Sequence, residues 1–343
     1  MRTLFCGMVI VTISFLSAFR PTPCTTFMAS SSLVPFDVTN PVLYDNDDHR
    51  DMYTDEYLLS LASAGVIQLK GIITTYSADA VEYDLFVKGR QHIIQTARQS
   101  GLTHLPAATA GPQTRLVRPA SNQIRDTKPL ICQAGQVIVK AALKASPAKP
   151  LVIITGGQLT AVADAYLQNP KIADRVIVSG IFGVRDQTYN AGLDAWAWAI
   201  VIRQFRCFSI SDSDTDTAYN RVFKTACPQT PKQQFRQAVQ QGKLPNTPFY
   251  RWMVVKRHPR HPATYMEQDG DAPAVVSLMQ PNYVRAVERW RCTGLDVSGV
   301  PTLVRDADGP LYLVTQASEV VGTNTFWQGI EDPRVWKHDK VSN

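Results

Sequence analysis

The sequence has no block of lysine or arginine and no pair of cysteines at CxxC spacing, and charged residues fill only 19% of its 343 positions. Lys and Arg (35) exceed Asp and Glu (29), but the resulting charge of +6 is scattered along the chain. A dedicated nucleic-acid binder gathers such charge into a patch, so nucleic acid is not an expected partner. The lack of CxxC removes a zinc ribbon or a thioredoxin-type redox site. GxSxG, GxxxxGK[ST] and HExxH are also absent, which removes the serine-hydrolase elbow, the P-loop and the zincin helix. No internal repeat and no Gly-, Ser- or Pro-rich linker divides the chain. What is present is core material: 45% apolar and 9% aromatic residues, which excludes a disordered chain.

Arg2 precedes an uncharged stretch from Leu4 to Phe19. As a helix it would reach roughly 24 Å, short of the ~30 Å hydrocarbon core of a bilayer. A basic start and a short apolar run match a secretory signal peptide. Residues 1–31 are therefore expected as a leader and 32–343 as one domain, secreted or periplasmic, with no stable membrane span after cleavage. An uncleaved anchor is the alternative. Cys6 and Cys24 fall within the leader segment, leaving Cys132, Cys207, Cys227 and Cys292. Four cysteines allow three pairings, of which Cys207 with Cys227 is the nearest in sequence, and four isolated thiols are the other reading.

Strand and helix patterns alternate along the rest. PVLY (41–44) is a short apolar run, and 57–64 is a helical run closed by Gly65. VIQLKGIITT (66–75) reads as a strand, 84–99 as a helix, and LVIIT (151–155) as a fully apolar strand. Gln158 to Gln168 follows as its helix, then RVIVS (175–179) as the next strand. Short apolar strands alternating with helices predict an α/β domain: an open, mostly parallel sheet with helices on both faces. Ligands of such sheets bind beyond the carboxyl ends of the strands. DNDD follows the first strand and Gly156-Gly157 follows LVIIT, while Gly270-Asp271-Ala272-Pro273 opens a later helix.

Asp45, Asp47 and Asp48, with Asp51, Asp55 and Glu56 close behind, repel one another unless solvated or neutralised by a cation. Oxygen ligands of this kind suit Ca²⁺ or Mg²⁺. A solvated loop with Asp55 and Glu56 favouring a helix N-terminus is the bland alternative. A phosphatase of the haloacid dehalogenase type needs Thr or Val where His49 stands, and a glycosyltransferase-like DxD is too short to be specific.

The segment VLYDNDDHRDMYTDEYLLSLASAG (42–65) resembles the opening of the calcium-dependent nucleoside hydrolase family, an apolar strand, an Asp-x-Asp and an acidic pair running into a helix. VIQLKGIITTYS (66–77), LVIITGGQLTAVADAYLQNPKIADRVIVSG (151–180), TYNAGLDAWAWA (188–199) and GDAPAVVSLMQP (270–281) are similar to later family segments, in order. The resemblance implies a hydrolase of N-glycosidic bonds acting on a small nucleoside or related N-riboside. It implies Asp47 as general base and calcium ligand, with Glu56, the Thr155 carbonyl and Asp271 completing the calcium site. Asp55 and Asn190 would bind the sugar. A homo-oligomer is left open, and so is a degenerate relative that binds a sugar or nucleoside without turnover.

The chain departs from that pattern in several places. An insertion around His49 to Met52 separates Asp47 from the acidic pair, and Glu56 replaces an Asp. Thr188 and Gly270 stand where a sugar-contacting Glu and a leaving-group His are expected. Asp271 also reads as a helix cap before Pro273, and Asp194 as a cap before AWAWA. DSDTDT (212–217) lacks the Gly and Glu of an EF-hand loop, and HPRHP (258–262) reads as an exposed basic turn.

Overall fold

A computed structural model of the chain describes residues 33–50, 53–75, 80–185, 187, 189–210, 226–256 and 269–336. The leader expected at 1–31, DSDTDT, HPRHP, Asp51, Met52 and Thr188 lie outside the described residues.

The first part of the sheet follows the predicted alternation. β1 (Pro41–Asn46), α1 (Thr54–Ser63), β2 (Gln68–Thr74), α2 (Ala80–Gln99) and β3 (Ala108–Ala110) come first. After α3 (Gln133–Lys144) the pattern continues through β4 (Leu151–Thr155), α4 (Thr160–Gln168) and β5 (Val176–Gly180). Next come α5 (Tyr189–Leu193), α6 (Ala195–Gln204) and β6 (Arg206–Ser209). The C-terminal part holds α7 (Lys232–Gln240), α8 (Pro248–Val255), α9 (Ala272–Met279), β7 (Val284–Leu295), β8 (Pro301–Arg305), β9 (Leu311–Ala317) and α10 (Glu319–Ile330).

One nine-stranded sheet results, in the order β3-β2-β1-β4-β5-β6-β9-β7-β8. From β3 to β9 neighbours pair in parallel, and β7 runs antiparallel to β9 and β8. Every residue of β4 and β5 is buried, as a strand covered on both faces requires. Val42, Tyr44, Val152 and Ile154 pack into one layer with α1, α2 and α7 to α10. Leu43, Leu151 and Ile153 pack into the other with α3, α4 and α6. Among the described residues no helix is long and apolar enough to cross a membrane.

β1 lies between β2 and β4, and the helices after β1 and β4 go to opposite faces. The ends of β1 and β4 are therefore the switch point of the topology, where ligands of such sheets bind. The Asp45↔Thr155 register puts the acidic segment beside the double glycine.

The antiparallel β7–β8–β9 region was not foreseen. β7 is half-exposed along most of its length, so it has no clean apolar alternation to read. Arg291 and Arg305 form ion pairs with Asp306 and Glu288 there and keep this margin charged, which discourages edge-to-edge pairing. The cysteines need a correction too: Cys132, Cys207, Cys227 and Cys292 are free. Cys207 packs in the α6 layer with Cys292, whereas Cys227 lies near Asp269 and Asp271 and follows Ala226 of the opposite layer. A Cys207–Cys227 bond would have to cross the sheet.

Candidate functional site

Asp45 and Asn46 end β1, and Asp47 follows with its side chain half-buried. The Gly156 N–H donates to the Asp45 carbonyl at 2.9 Å, which ties the β4 turn to β1. A Cβ at Gly156 would lie 2.4 Å from Asp271 Oδ2, and one at Gly157 3.1 Å from the Asp47 nitrogen and 3.3 Å from its Cβ. The two glycines thus let Asp47 and Asp271 close on one turn from either side.

Asn46 joins these two acids. Its Nδ2 donates to Asp271 Oδ2 at 3.0 Å and to the Tyr44 hydroxyl, and its Oδ1 accepts the Asp47 N–H at 2.7 Å. The Tyr44 hydroxyl donates to Asp271 Oδ2 at 3.5 Å. Burial, and then the charge of Asp271, push the Tyr44 phenol well above its usual range, so it stays a donor. Asn190 Nδ2 donates to the Gly156 carbonyl at 3.0 Å, which brings a third expected residue to the same turn. Thr155, the fourth, is buried directly before it.

The expected acidic pair is built differently. Asp55 receives a fork from Arg90, Nε to Oδ1 at 2.9 Å and the NH2 nitrogen to Oδ2 at 3.2 Å. Arg90 is fully buried and also donates to the Asn46 carbonyl at 2.9 Å and to Thr74 Oγ1 at 2.8 Å. Through Arg90, Asp55 is thus tied to the ends of β1 and β2. Glu56, expected to hold calcium, has both carboxylate oxygens on Lys256 Nζ at 3.0 and 2.9 Å, and Oε1 also accepts Trp252 Nε1 at 2.8 Å. Burial raises the Glu56 carboxyl, and the Lys256 ammonium opposes that shift.

Of the expected donor set, Asp47, Thr155 and Asp271 lie about the Gly156 turn, whereas Glu56 is paired with Lys256. Among the described residues, no three His, Cys, Asp or Glu side chains converge as metal ligands. Glu56 does not fit the part of a calcium ligand here, because an ammonium group already occupies its carboxylate.

Three neighbours complete the electrostatics. Asp269 accepts the Tyr53, Asp271 and Ala272 N–H groups and the Thr54 hydroxyl, so it caps α1 and α9 together. Burial raises its carboxyl to about 6, against those hydrogen bonds. Asp271 itself makes no side-chain cap, contrary to its bland reading. His49 is buried, and desolvation followed by the charge of Arg90 lowers it to about 3, so it is neutral near pH 7. Asp45 is fully buried with neither oxygen hydrogen-bonded among the described residues, and burial raises its carboxyl well above the ordinary range. Asp194 caps α6 through Ala197 at 3.0 Å and takes the Thr160 hydroxyl at 2.7 Å, the structural role its sequence context predicts.

Sequence reasoning missed Asn46, Arg90, Lys256 and Asp269. A signal for Arg90 existed: it shares a helical face with Phe86, Ile93 and Ala97, and a charge within an apolar stripe needs a buried partner. Lys256 gave none, because its partner lies 200 residues away.

No family model matches the chain, and no curated protein matches it by sequence. Its fold does match solved structures. A plant nucleoside hydrolase superposes with a TM-score of 0.58 at 11% identity, covering 86% of this chain and 99% of that one. The inosine–uridine-preferring nucleoside hydrolase of Bacillus anthracis gives 0.54 at 13% identity, covering 85% and 99%. The purine-preferring ribonucleoside hydrolase of Gardnerella vaginalis gives 0.53 at 15% identity, covering 84% and 98%. The α/β fold of this chain is nucleoside hydrolase-like.

Proposed function

We propose that the chain hydrolyses the N-glycosidic bond of a ribonucleoside or related N-riboside, with Asp47 as general base toward water. The observation that carries this reading is the gathering of Asp47, Asp271 and Asn190 around the single Gly156–Gly157 turn, at the switch point of a nucleoside hydrolase-like fold.

Hydrolysis of such a bond passes through an oxocarbenium-like state, so it needs an acceptor for the proton of water and negative charge near the anomeric carbon. Asp47 is half-buried at the end of β1, with its backbone fixed by Asn46 and Oδ1 accepting the Asp48 N–H at 2.8 Å. It takes the proton of water. Asp271 is held by Asn46 and Tyr44 and supplies charge beneath the sugar. Asn190, fixed on the Gly156 carbonyl, directs its remaining amide atoms toward a ribose hydroxyl. Arg90 positions Asp55 and the end of β1 and leaves the substrate alone. His49 is neutral near pH 7 and Gly270 has no side chain, so neither donates a proton, and the base leaves with the bonding pair as its anion and takes its proton from solvent. No step runs through calcium, because the Glu56 ligand is paired with Lys256.

The test is release of reducing sugar from a panel of nucleosides, with Asp47→Asn compared at equal melting temperature. Removing a general base lowers turnover by about 100-fold or more. No released sugar from any nucleoside sinks the hydrolase reading and leaves binding without turnover. We further propose that the chain is exported, with residues 1–31 as leader. N-terminal sequencing of secreted protein should begin after Ala18 or within 29–32.

A further inference from the structure

Two consecutive buried carboxylates open α1, and the chain supplies a cation to each. Arg90 of α2 takes both oxygens of Asp55 and Lys256 takes both of Glu56. Neither Lys256 nor Glu56 exposes any side-chain surface. α8 and its C-cap deliver both groups on the Glu56 carboxylate, Trp252 and Lys256, which make three hydrogen bonds. Trp252 and Lys256 are four residues apart, and Lys256 closes the helix with its N–H on the Trp252 carbonyl at 2.8 Å. That spacing brings both side chains to one carboxylate, and a lysine at the C-cap also complements the helix dipole. The Lys256 ammonium lies 5.3 Å from the centre of the Tyr53 ring, whose face favours a cation.

We propose that the Lys256 ammonium is the resident cation of this pocket, standing where the family resemblance assigns a divalent ion, so that the acidic start of α1 assembles without bound metal. Three observations support it. The pair Asp55–Glu56 and the pair Arg90–Lys256 balance in charge, so a divalent ion beside Glu56 would be repelled by an ammonium that cannot leave for solvent. Calcium takes six to eight oxygen ligands, and the Glu56 oxygens already accept three N–H donors from Lys256 and Trp252. Asp269, a further buried acid that feels the Lys256 charge, is occupied by four backbone and hydroxyl donors. The inference concerns the cation alone and stands whether or not the chain turns over a nucleoside.

The experiment uses the purified full chain, stripped with chelator, and reads melting temperature and calcium-binding heat. Adding millimolar calcium should move the wild-type melting temperature by less than about 1 °C and give no stoichiometric heat. A rise of roughly 4 °C or more, or a single site saturating at micromolar calcium, overturns the proposal. Lys256→Met leaves a buried carboxylate unpaired and should lower the melting temperature by roughly 10 °C, to the point of misfolding at the extreme. Glu56→Gln/Lys256→Met removes both charges and should recover most of that loss in chelator. If the double variant is no more stable than Lys256→Met, Lys256 contributes packing only and the proposal fails.

Discussion

Asn46 donates to the Asp271 carboxylate across 3.0 Å, linking residues 225 positions apart at the end of β1. The same amide accepts the Asp47 N–H, so one side chain sets the separation of the two acids assigned to catalysis. Asn46→Asp keeps the size but places a second buried carboxylate against Asp271. Like charges at this range repel strongly in a desolvated site. The expected result is a loss of about 2 kcal/mol or more of stability and a fall in kcat/KM larger than that caused by Asn46→Ser. Urea unfolding and the reducing-sugar assay measure the two effects separately. Equal activity of both variants would show that Asn46 does not position the acids.

Gly156 and Gly157 predict a graded pair of substitutions. An alanine Cβ at 156 meets Asp271 Oδ2 at 2.4 Å and Asn46 Cγ at 2.9 Å, so the bridge itself has to move. At 157 the contacts are Thr75 Cγ2 at 2.9 Å and the Asp47 backbone at 3.1 Å, which a small shift relieves. Gly156→Ala should therefore cost more activity than Gly157→Ala, by about 10-fold, because displacements of this size misplace reacting groups. Steady-state kinetics on any nucleoside that the wild type cleaves decides the order.

Much of this architecture could be read from the chain. LVIIT is β4 residue for residue, and the acids after β1 and the glycines after β4 do meet, since register pairing sets Asp45 opposite Thr155. Local pattern fails where partners are distant. Asp55 looks like a sugar ligand and Glu56 like a metal ligand as long as Arg90 and Lys256 are invisible, and nothing in PFYRWMVVK (248–256) announces that its lysine turns inward. Arg90 is the intermediate case, legible as a charge in the stripe Phe86, Ile93 and Ala97 but without a named partner.

Arg90 joins α2 to Asp55, Asn46 and Thr74, so its removal should damage both fold and site. Arg90→Met strands the Asp55 carboxylate and two other acceptors in a buried setting. A loss of roughly 3–5 kcal/mol follows from breaking a buried pair on one side only. Arg90→Met/Asp55→Leu removes the stranded charge and should regain part of it. Chemical denaturation of both variants measures the difference, and a double variant weaker than the single would mean that the Asn46 and Thr74 contacts dominate.

The alkaline limb of stability depends on buried phenols and thiols. Burial raises Tyr44, Tyr53, Tyr57, Tyr250, Tyr283, Cys207 and Cys227 above their ordinary values of 10.0 and 9.0. Cys132 and Tyr83 are each raised to about 12, by burial first, with Asp164 and Asp84 respectively adding to the shift. A group whose pKa is higher folded than unfolded keeps its proton longer in the native state. Its contribution is complete below the unfolded pKa and is lost as pH rises toward the folded one. The urea midpoint should thus hold up to about pH 9 and fall steeply from there to pH 12. Tyr57 isolates the effect. Its hydroxyl donates to the Thr325 carbonyl at 3.2 Å and its ring stacks obliquely on Phe326 at 4.7 Å, so Tyr57→Phe keeps the packing and loses one hydrogen bond. At pH 7 the variant should be weaker by about 1 kcal/mol. Above pH 10 it has no phenol to ionise on unfolding, so the gap should close as pH climbs. Parallel wild-type and variant curves from pH 8 to 12 would show that the alkaline loss comes from other groups.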